Sequence, residues 1–121
     1  MSEPTLIIDD DPSFNAILVR TLERRGFPAR GALDAGDALT LAREIVPNRV
    51  VLDLNLNGSS GLALIPELLA INAACRIVVL TGYASIATAV EAIKLGATHY
   101  LAKPTDVDAI LAAFEATSAQ E

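Results

Sequence analysis

Three carboxylates, one hydroxyl and one ammonium group stand at or just beyond the ends of apolar runs in this 121-residue chain: Asp9, Asp10, Asp53, Thr81 and Lys103. If the fold brings the carboxylates to within about 5 Å, each pair repels by roughly 3 kcal/mol at an effective dielectric constant of about 20. A cation or raised pKa values must then relieve the repulsion. Oxygen ligands without His or Cys favour a hard ion such as Mg²⁺. A neighbouring hydroxyl and ammonium group suit the oxygens of a phosphoryl group.

Five β-type runs alternate with helical patterns along the chain. The first, third and fourth runs are continuous apolar blocks, which are typical of strands buried on both faces of a parallel sheet. The second and fifth are shorter and more polar, as edge strands are. The runs are Thr5–Ile8, Pro28–Ala32, Arg49–Leu52, Arg76–Leu80 and Thr98–Ala102. This alternation predicts an α/β fold with a single doubly wound, five-stranded parallel sheet of order 2-1-3-4-5, flavodoxin-like, with five helices.

Capping and stop residues delimit the helices. Asp11 precedes the first helix and Gly26 follows it. The apolar face of that helix is predicted to be Phe14, Ile17, Leu18 and Leu22. The remaining helices are expected over about 35–46, 61–71, 85–95 and from about 106 onward. Pro66 lies inside the third, which predicts that this helix begins late or is kinked.

The predicted strand order places the polar residues at one edge of the sheet. Ligands of such folds bind at the carboxyl ends of the strands, where the strand order reverses between the first and third strands. Asp9, Asp10 and Asp53 are therefore expected to converge, with Thr81 and Lys103 one and two strands away. Each residue alone has an ordinary explanation, as a cap, a turn residue or a surface lysine. Their occurrence in order at successive strand ends favours a functional site.

The amino-acid composition excludes several classes of protein. Nine Lys and Arg against fifteen Asp and Glu give a net charge of −6, which argues against direct contact of this domain with nucleic acid. A single cysteine, Cys75, excludes an internal disulfide and a multi-cysteine metal site. The apolar runs are too short to cross a membrane, and no signal peptide is recognisable at the start. We expect one cytoplasmic domain, residues 1–121, without membrane contact.

Four segments together carry a resemblance to a known family. The acid pair, Asp9 and Asp10, lies in Leu6–Asp11. The third acid, Asp53, lies in Val50–Leu56, which is followed by Gly58 and Gly61. The other two segments are Val79–Gly82 and Gly96–Pro104. Over essentially its whole length the chain resembles a response-regulator receiver domain of two-component signalling. The resemblance implies a signalling phosphoacceptor rather than an enzyme, limited to its own phosphorylation and dephosphorylation.

The resemblance also implies roles for the acids. Asp53 would take a phosphoryl group from a phosphohistidine on a sensor histidine kinase or phosphotransfer protein. Asp10 and Asp53 would bind Mg²⁺ directly, with the backbone carbonyl of Asn55 as a third ligand, and Asp9 would act through water.

The remaining roles implied by the resemblance concern the phosphoryl group and the switch. Lys103 would pair with a phosphoryl oxygen, and the Lys103–Pro104 bond is often cis in the family. Thr81 would move to bond another phosphoryl oxygen, and Tyr100 would turn inward behind it. Gly82 would leave room for the phosphoryl group.

Three further expectations concern surfaces and lifetime. The kinase is expected to dock on the first helix at Asn15 and Val19, which we predict to be exposed. Asn55 and Tyr83 are expected to tune the lifetime of the acyl phosphate, with the Tyr83 ring shielding it from water. Phosphorylation is expected to favour a homodimer through the fourth helix, the fifth strand and the fifth helix, where Glu91, Lys94 and His99 lie.

Two segments, Leu22–Phe27 and Cys75–Val90, are similar to the redox-responding RegA-like (PrrA/ActR-type) regulators. Those proteins carry a C-terminal helix-turn-helix that binds DNA. The resemblance therefore implies a role in transcription regulation, with DNA bound by a C-terminal domain outside this chain. We expect Cys75 to be a packed residue rather than a redox sensor.

Three other classes of protein compete with this interpretation. A phosphohydrolase of the haloacid-dehalogenase type would form its acyl phosphate on Asp9, but the chain has no room for the usual cap. An interaction module independent of phosphorylation would use the fold alone. A flavin carrier would need a Ser/Thr-rich phosphate loop after the first strand, where this chain has Asp9–Pro12.

Overall fold

The computed structural model describes residues 4–56, 59–82, 86–103 and 105–119. Five parallel strands form the main sheet in the order β2-β1-β3-β4-β5, which confirms the predicted topology. They are β1 (Thr5–Ile8), β2 (Ala29–Ala32), β3 (Arg49–Asp53), β4 (Arg76–Thr81) and β5 (His99–Ala102). The two more polar strands, β2 and β5, are the edges.

The helices connect successive strands, as crossovers between parallel strands require. They are α1 (Pro12–Arg24), α2 (Ala35–Ile45), α3 (Leu64–Ile71), α4 (Ile86–Leu95) and α5 (Val107–Ala119). Asp11 caps α1 by accepting from the backbone N–H groups of Ser13 and Phe14. The third helix does begin late, because a 3₁₀ turn over Gly61–Ala63 precedes it. Pro66 then lies in the first turn of α3, where a backbone N–H has no intrahelical partner to lose.

Two apolar clusters cover the two faces of the sheet, because successive residues of a strand point to opposite faces. One cluster includes Leu6, Ile8, Val50 and Leu52 of the strands and packs against α2 and α3. The other includes Ile7, Val51, Val78 and Leu80 and packs against α1 and α5. Each such side chain stabilises the fold by roughly 1.5–3 kcal/mol through burial. β1, β3 and β4 are thus buried on both faces, as their apolar runs predict.

Cys75 belongs to the first of these clusters and is 6% exposed. Burial raises the pKa of its thiol to about 12, so the thiol stays protonated at neutral pH. The expectation of a packed, unreactive cysteine agrees with this environment.

Two predictions about α1 are wrong. Asn15, predicted to be exposed, is 4% exposed, and Ile17, predicted to be core, is 57% exposed. The buried face of α1 runs through Asn15, Leu18 and Leu22, at helical spacing. Asn15 is buried because two strands end beneath it and their carbonyl groups need a donor. Val19 is half-buried against the cluster that covers this face.

A short antiparallel hairpin, Asn55–Leu56 with Ser59–Ser60, follows β3 and was not predicted. Two residues per strand are too few for a periodic pattern to show. Leu56 fills the core beneath it, and the backbone N–H of Gly61 donates to the carbonyl of Leu54 over 2.8 Å. The hairpin and this hydrogen bond therefore fix the backbone of the residues that follow Asp53. Gly58 lies outside the described residues.

In the part of the chain that the structure describes, no helix combines the length and apolar character needed to span a bilayer.

Candidate functional site

The three predicted carboxylates meet at the carboxyl edge of the sheet. One oxygen each from Asp9, Asp10 and Asp53 lies within 4.8 Å of the others. Asp9 is 1% exposed and Asp53 is 5% exposed, whereas Asp10 is half-buried. Parallel strands β1 and β3 are direct neighbours, so their ends bring the acids together. The convergence that the strand order predicts is present.

Lys103, just after β5, crosses to the acids. Its Nζ donates to Asp9 Oδ2 over 2.9 Å and to Asp53 Oδ2 over 3.2 Å. The ammonium group also lies 4.8 Å from the ring centroid of Phe14, a cation–π contact. The contact with Asp9 was missed from the sequence, because only the reach of the lysine across β4 and β3 decides it. The sequence indicated Lys103 solely as a partner for a phosphoryl oxygen.

The backbone of the adjoining loops binds the other oxygen of each buried acid. Asp9 Oδ1 accepts from the N–H of Asp11 over 2.9 Å, and Asp53 Oδ1 accepts from the N–H of Asn55 over 3.1 Å. Each carboxylate oxygen has two lone pairs, so these bonds still leave acceptor capacity for a cation. The hydrogen bonds orient the carboxylates without neutralising them.

The site carries more negative than positive charge. Burial raises the pKa of Asp53, the repulsion from Asp9 adds to the rise, and the Asn55 N–H and Lys103 oppose it. Burial lowers the pKa of Lys103, but the Asp9 and Asp53 carboxylates outweigh it and the net shift is upward. Three carboxylates against one ammonium group leave a formal excess of two negative charges. The donor set consists of oxygens and suits a hard divalent cation such as Mg²⁺.

A cavity of about 310 Å³ opens beside Asp53. It borders the predicted hydroxyl and ammonium groups, and Thr81 is 8% exposed. The lining residues are Asp53, Leu54, Asn55, Thr81, Gly82, Thr88 and Lys103. Thr88 was not anticipated, because an isolated Thr in an apolar helix carries no signal and only the packing of α4 places it at this cavity. The space is sufficient for a phosphoryl group between Thr81 and Lys103.

The other predicted residues are placed as follows. Tyr100, on the edge strand β5, is 43% exposed, and its ring meets that of His99 edge-on with centroids 6.1 Å apart. Asn15 is buried, so its side chain cannot be the contact for a docked kinase that the sequence predicted. Tyr83 and Pro104 lie outside the described residues.

Comparison with known proteins gives a family match. Residues 5–115 match the model of the response regulator receiver domain. The acid tolerance regulatory protein ActR of Rhizobium meliloti (strain 1021) is 46% identical over 108 residues, covering 89% of this chain and 56% of ActR. The photosynthetic apparatus regulatory protein RegA of Cereibacter sphaeroides is 42% identical over 105 residues, covering 87% of this chain and 57% of RegA. The chain thus spans about half the length of these relatives.

Among solved structures, a response regulator protein from Burkholderia pseudomallei superimposes with a TM-score of 0.92 at 46% identity. The match covers 98% of this chain and 70% of that one, and the Burkholderia structure contains a phosphorylated aspartic acid, a calcium ion and citrate. These findings confirm the resemblance to receiver domains and to the ActR and RegA regulators. They do not support the hydrolase or flavin-carrier alternatives.

Proposed function

The chain belongs to the response regulator receiver family, and on that premise we propose that Asp53 accepts a phosphoryl group from a phosphohistidine of a sensor kinase or phosphotransfer protein. One observation carries the proposal. The Asp53 carboxylate borders an open cavity. Lys103 Nζ lies 3.2 Å from Asp53 Oδ2, and the other two acids of the cluster lie beside Asp53. Nucleophile, cation and acid cluster thus share one site.

The transfer is a displacement at phosphorus. A carboxylate oxygen of Asp53 forms the new bond to phosphorus, the bond from phosphorus to the donor imidazole nitrogen breaks, and its electron pair returns to the ring. The product is an acyl phosphate on Asp53. Lys103 supplies positive charge toward a phosphoryl oxygen, and the Thr81 hydroxyl, which lines the same cavity, would bond another. Gly82 keeps that side of the cavity free of a side chain.

We propose Asp10, Asp53 and the Asn55 backbone carbonyl as ligands of Mg²⁺, with Asp9 acting through water. The ion supplies positive charge to the phosphoryl oxygens when it is bound. Asp9, which is 1% exposed, is the most buried of the three acids, and this supports the indirect role. The calcium ion in the Burkholderia response regulator supports a divalent cation in this family.

The proposed output is a switch at the face formed by α4, β5 and α5. Thr81 would move to the phosphoryl group, and the exposed Tyr100 ring would turn into the vacated space. The exposed apolar side chains of Val90 and Ile93 lie on α4, beside β5, which supports a homodimer of the phosphorylated form. We further propose that a C-terminal domain of the full-length protein binds DNA in the cytoplasm. The regulatory relatives, of which the matches cover only 56% and 57%, support this role.

Labelling by acetyl phosphate or phosphoramidate tests the phosphoacceptor. We expect Mg²⁺-dependent labelling that Asp53→Asn abolishes, because an amide is not a competent nucleophile. Asp37→Asn, at an exposed acid in the first turn of α2, is the matched control and should label normally. Labelling at one site that persists in Asp53→Asn would overturn the assignment. No labelling of the wild type would favour an interaction module independent of phosphorylation.

Sedimentation tests the switch. The form bound to beryllofluoride, which mimics the acyl phosphate, should be heavier than the free form, and Thr81→Ala should reduce the difference. Equal masses in all three samples would rule out dimerisation of this domain. We also propose that Asn55 and Tyr83 set the lifetime of the acyl phosphate, so Tyr83→Ala should shorten it. The kinase is proposed to dock on α1, with Val19 remaining as a predicted contact.

A further inference from the structure

Asn15 combines a polar side chain with a fully packed position in α1. It is 4% exposed, and its Nδ2 lies 3.0 Å from the Asp9 carbonyl oxygen and 2.9 Å from that of Ala32. A third carbonyl, that of Ile7, lies 3.4 Å away. A single amide group thus serves both strands that end beneath α1.

These carbonyl groups lie where the sheet ladder ends. The register pairs Ile8 with Ala32, and the last rung is a bond of 3.1 Å from the Asp9 N–H to the Ala32 carbonyl. In the described part of the chain, the pairing of β1 with β2 ends here, so the Asp9 carbonyl lies beyond the last paired residues. A buried carbonyl without a donor is strongly unfavourable, so the Asn15 amide supplies what the ladder lacks.

The bond to Asp9 reaches the acid cluster through the backbone. The carbonyl of Asp9 belongs to the peptide bond that joins Asp9 to Asp10, and a peptide unit is planar. Holding its oxygen therefore sets the orientation of the whole unit, and with it the two Cα atoms from which both carboxylates project. The side chain of Asp9 is separately held by Asp11 and Lys103. The half-buried Asp10 projects from the other end of the same peptide unit.

Gly31 provides the space for this amide. A Cβ at this position would lie 2.0 Å from Asn15 Oδ1 and 3.4 Å from Val19 Cγ2. The shorter distance is far inside van der Waals contact, so any other residue at position 31 would displace the amide. The backbone of Gly31 is ordinary β-strand, and the glycine is therefore needed for space alone.

We propose that Asn15, accommodated by Gly31, is a positioning residue that aligns the Asp9 and Asp10 carboxylates for divalent-cation binding and phosphorylation. This inference rests on the proposed function of the acid cluster. Groups that orient metal ligands from behind typically contribute about 10- to 100-fold to metal affinity. A side chain that merely stabilised the fold would leave that affinity unchanged in the folded protein.

Calorimetric titration with Mg²⁺ separates positioning from stability. Asn15→Ala should weaken Mg²⁺ binding by about tenfold and slow acetyl phosphate labelling at limiting Mg²⁺. The matched control is Asn72→Ala. Asn72 also fastens loops by donating to the Pro47 carbonyl and to Asn48 Oδ1, but at the opposite edge of the sheet. Asn72→Ala should lose stability and bind Mg²⁺ normally. Equal Mg²⁺ affinity in the two variants would overturn the proposal.

Gly31→Ala tests the role of the Asn15 amide while leaving residue 15 itself unchanged. The added methyl group should displace the Asn15 side chain and weaken Mg²⁺ binding by a similar factor. In an Asn15→Ala background the clash is gone, so Gly31→Ala should then have little further effect. Equal losses in both backgrounds would refute the link between the two residues. If wild type binds Mg²⁺ but is never labelled, the proposed function fails while the positioning role is still measured by calorimetry.

Discussion

The charged side chains at the two ends of the parallel strands are paired differently. The strands begin at the amino edge of the main sheet and end at its carboxyl edge. At the amino edge the Arg49 guanidinium lies over two aromatic rings, 5.3 Å from the centroid of Phe27 and 5.8 Å from that of Phe114. Arg76 Nη1 donates to the carbonyl of Phe114 over 3.1 Å. At the carboxyl edge three carboxylates cluster, and the ammonium group of Lys103 lies within hydrogen-bond distance of two of them, Asp9 and Asp53.

The positive charges of the amino edge have stabilising partners, whereas the negative charges of the carboxyl edge outnumber the positive charge beside them. The cations of the amino edge meet ring faces and a helix carbonyl, which stabilise positive charge. The acids of the carboxyl edge are buried beside one another, and burial with repulsion raises the pKa of Asp53. One edge therefore adds stability, whereas the other gives up stability by burying Asp53 beside the cavity in which we propose that a cation and a phosphoryl group bind.

Removing the ammonium group should have the largest effect. Lys103→Met leaves the Asp9 and Asp53 carboxylates without a neutralising partner. We expect a loss of about 2 kcal/mol in the free energy of unfolding, less than for a fully buried pair because the lysine side chain is 26% exposed. Urea denaturation in EDTA measures it, and added Mg²⁺ should restore part of the loss. The exposed Lys94→Met is the control, and an equal loss there would refute the special role of the carboxyl edge.

Removing a cation from the amino edge should have a smaller effect that Mg²⁺ does not change. Arg49→Gln loses the contacts with Phe27 and Phe114, and we expect about 1 kcal/mol less stability. The initial rate of acetyl phosphate labelling should equal that of the wild type. A slowed rate would show that the two edges are coupled, contrary to their separation across the sheet.

Removing an acid from the carboxyl edge should stabilise the protein. Because the pKa of Asp53 is raised, its stabilising contribution is present below the unfolded-state pKa and is lost as the pH rises through the folded-state pKa. At neutral pH, Asp53→Asn should therefore raise Tm by a few degrees. The gain should shrink as the pH falls through the folded-state pKa of Asp53, because the wild-type carboxyl then becomes protonated. Melting curves across this range, with Asp37→Asn for comparison, measure it. A lower Tm at neutral pH would contradict the electrostatic account.

The smallest effect should come from an ion pair on neither edge. Arg25 and Asp108 join α1 to α5 with side chains 42% and 74% exposed. Their hydrogen bond raises the pKa of Arg25 and lowers that of Asp108. Since water and salt screen exposed pairs, Arg25→Gln should leave Tm nearly unchanged. A Tm loss comparable with that of Arg49→Gln would show that exposure is a poor guide to the energy of these charges.

Much of the site could be predicted because its residues stand at the ends of unmistakable strands. Asp9, Asp53, Thr81 and Lys103 each follow an apolar block, and parallel pairing brings such ends to one edge. The errors fall on α1, where residue type misled: an asparagine was assigned to the surface and Ile17 to the core. The position of Thr88 in the lining of the cavity that Asp53 borders depends on how α4 packs, which no local sequence pattern indicates.

The order of strands and helices along the chain, their caps and the polar residues at the strand ends could all be inferred from the amino-acid sequence. These depend on apolar periodicity and on neighbours a few residues apart, which the chain displays directly. The contact of Lys103 with Asp9 and the hydrogen bond that Asn15 of α1 donates to the Asp9 carbonyl became evident only from the packed fold. Such contacts depend on which backbone groups the sheet ladder leaves without partners, and those groups exist only once strands and helices have packed together.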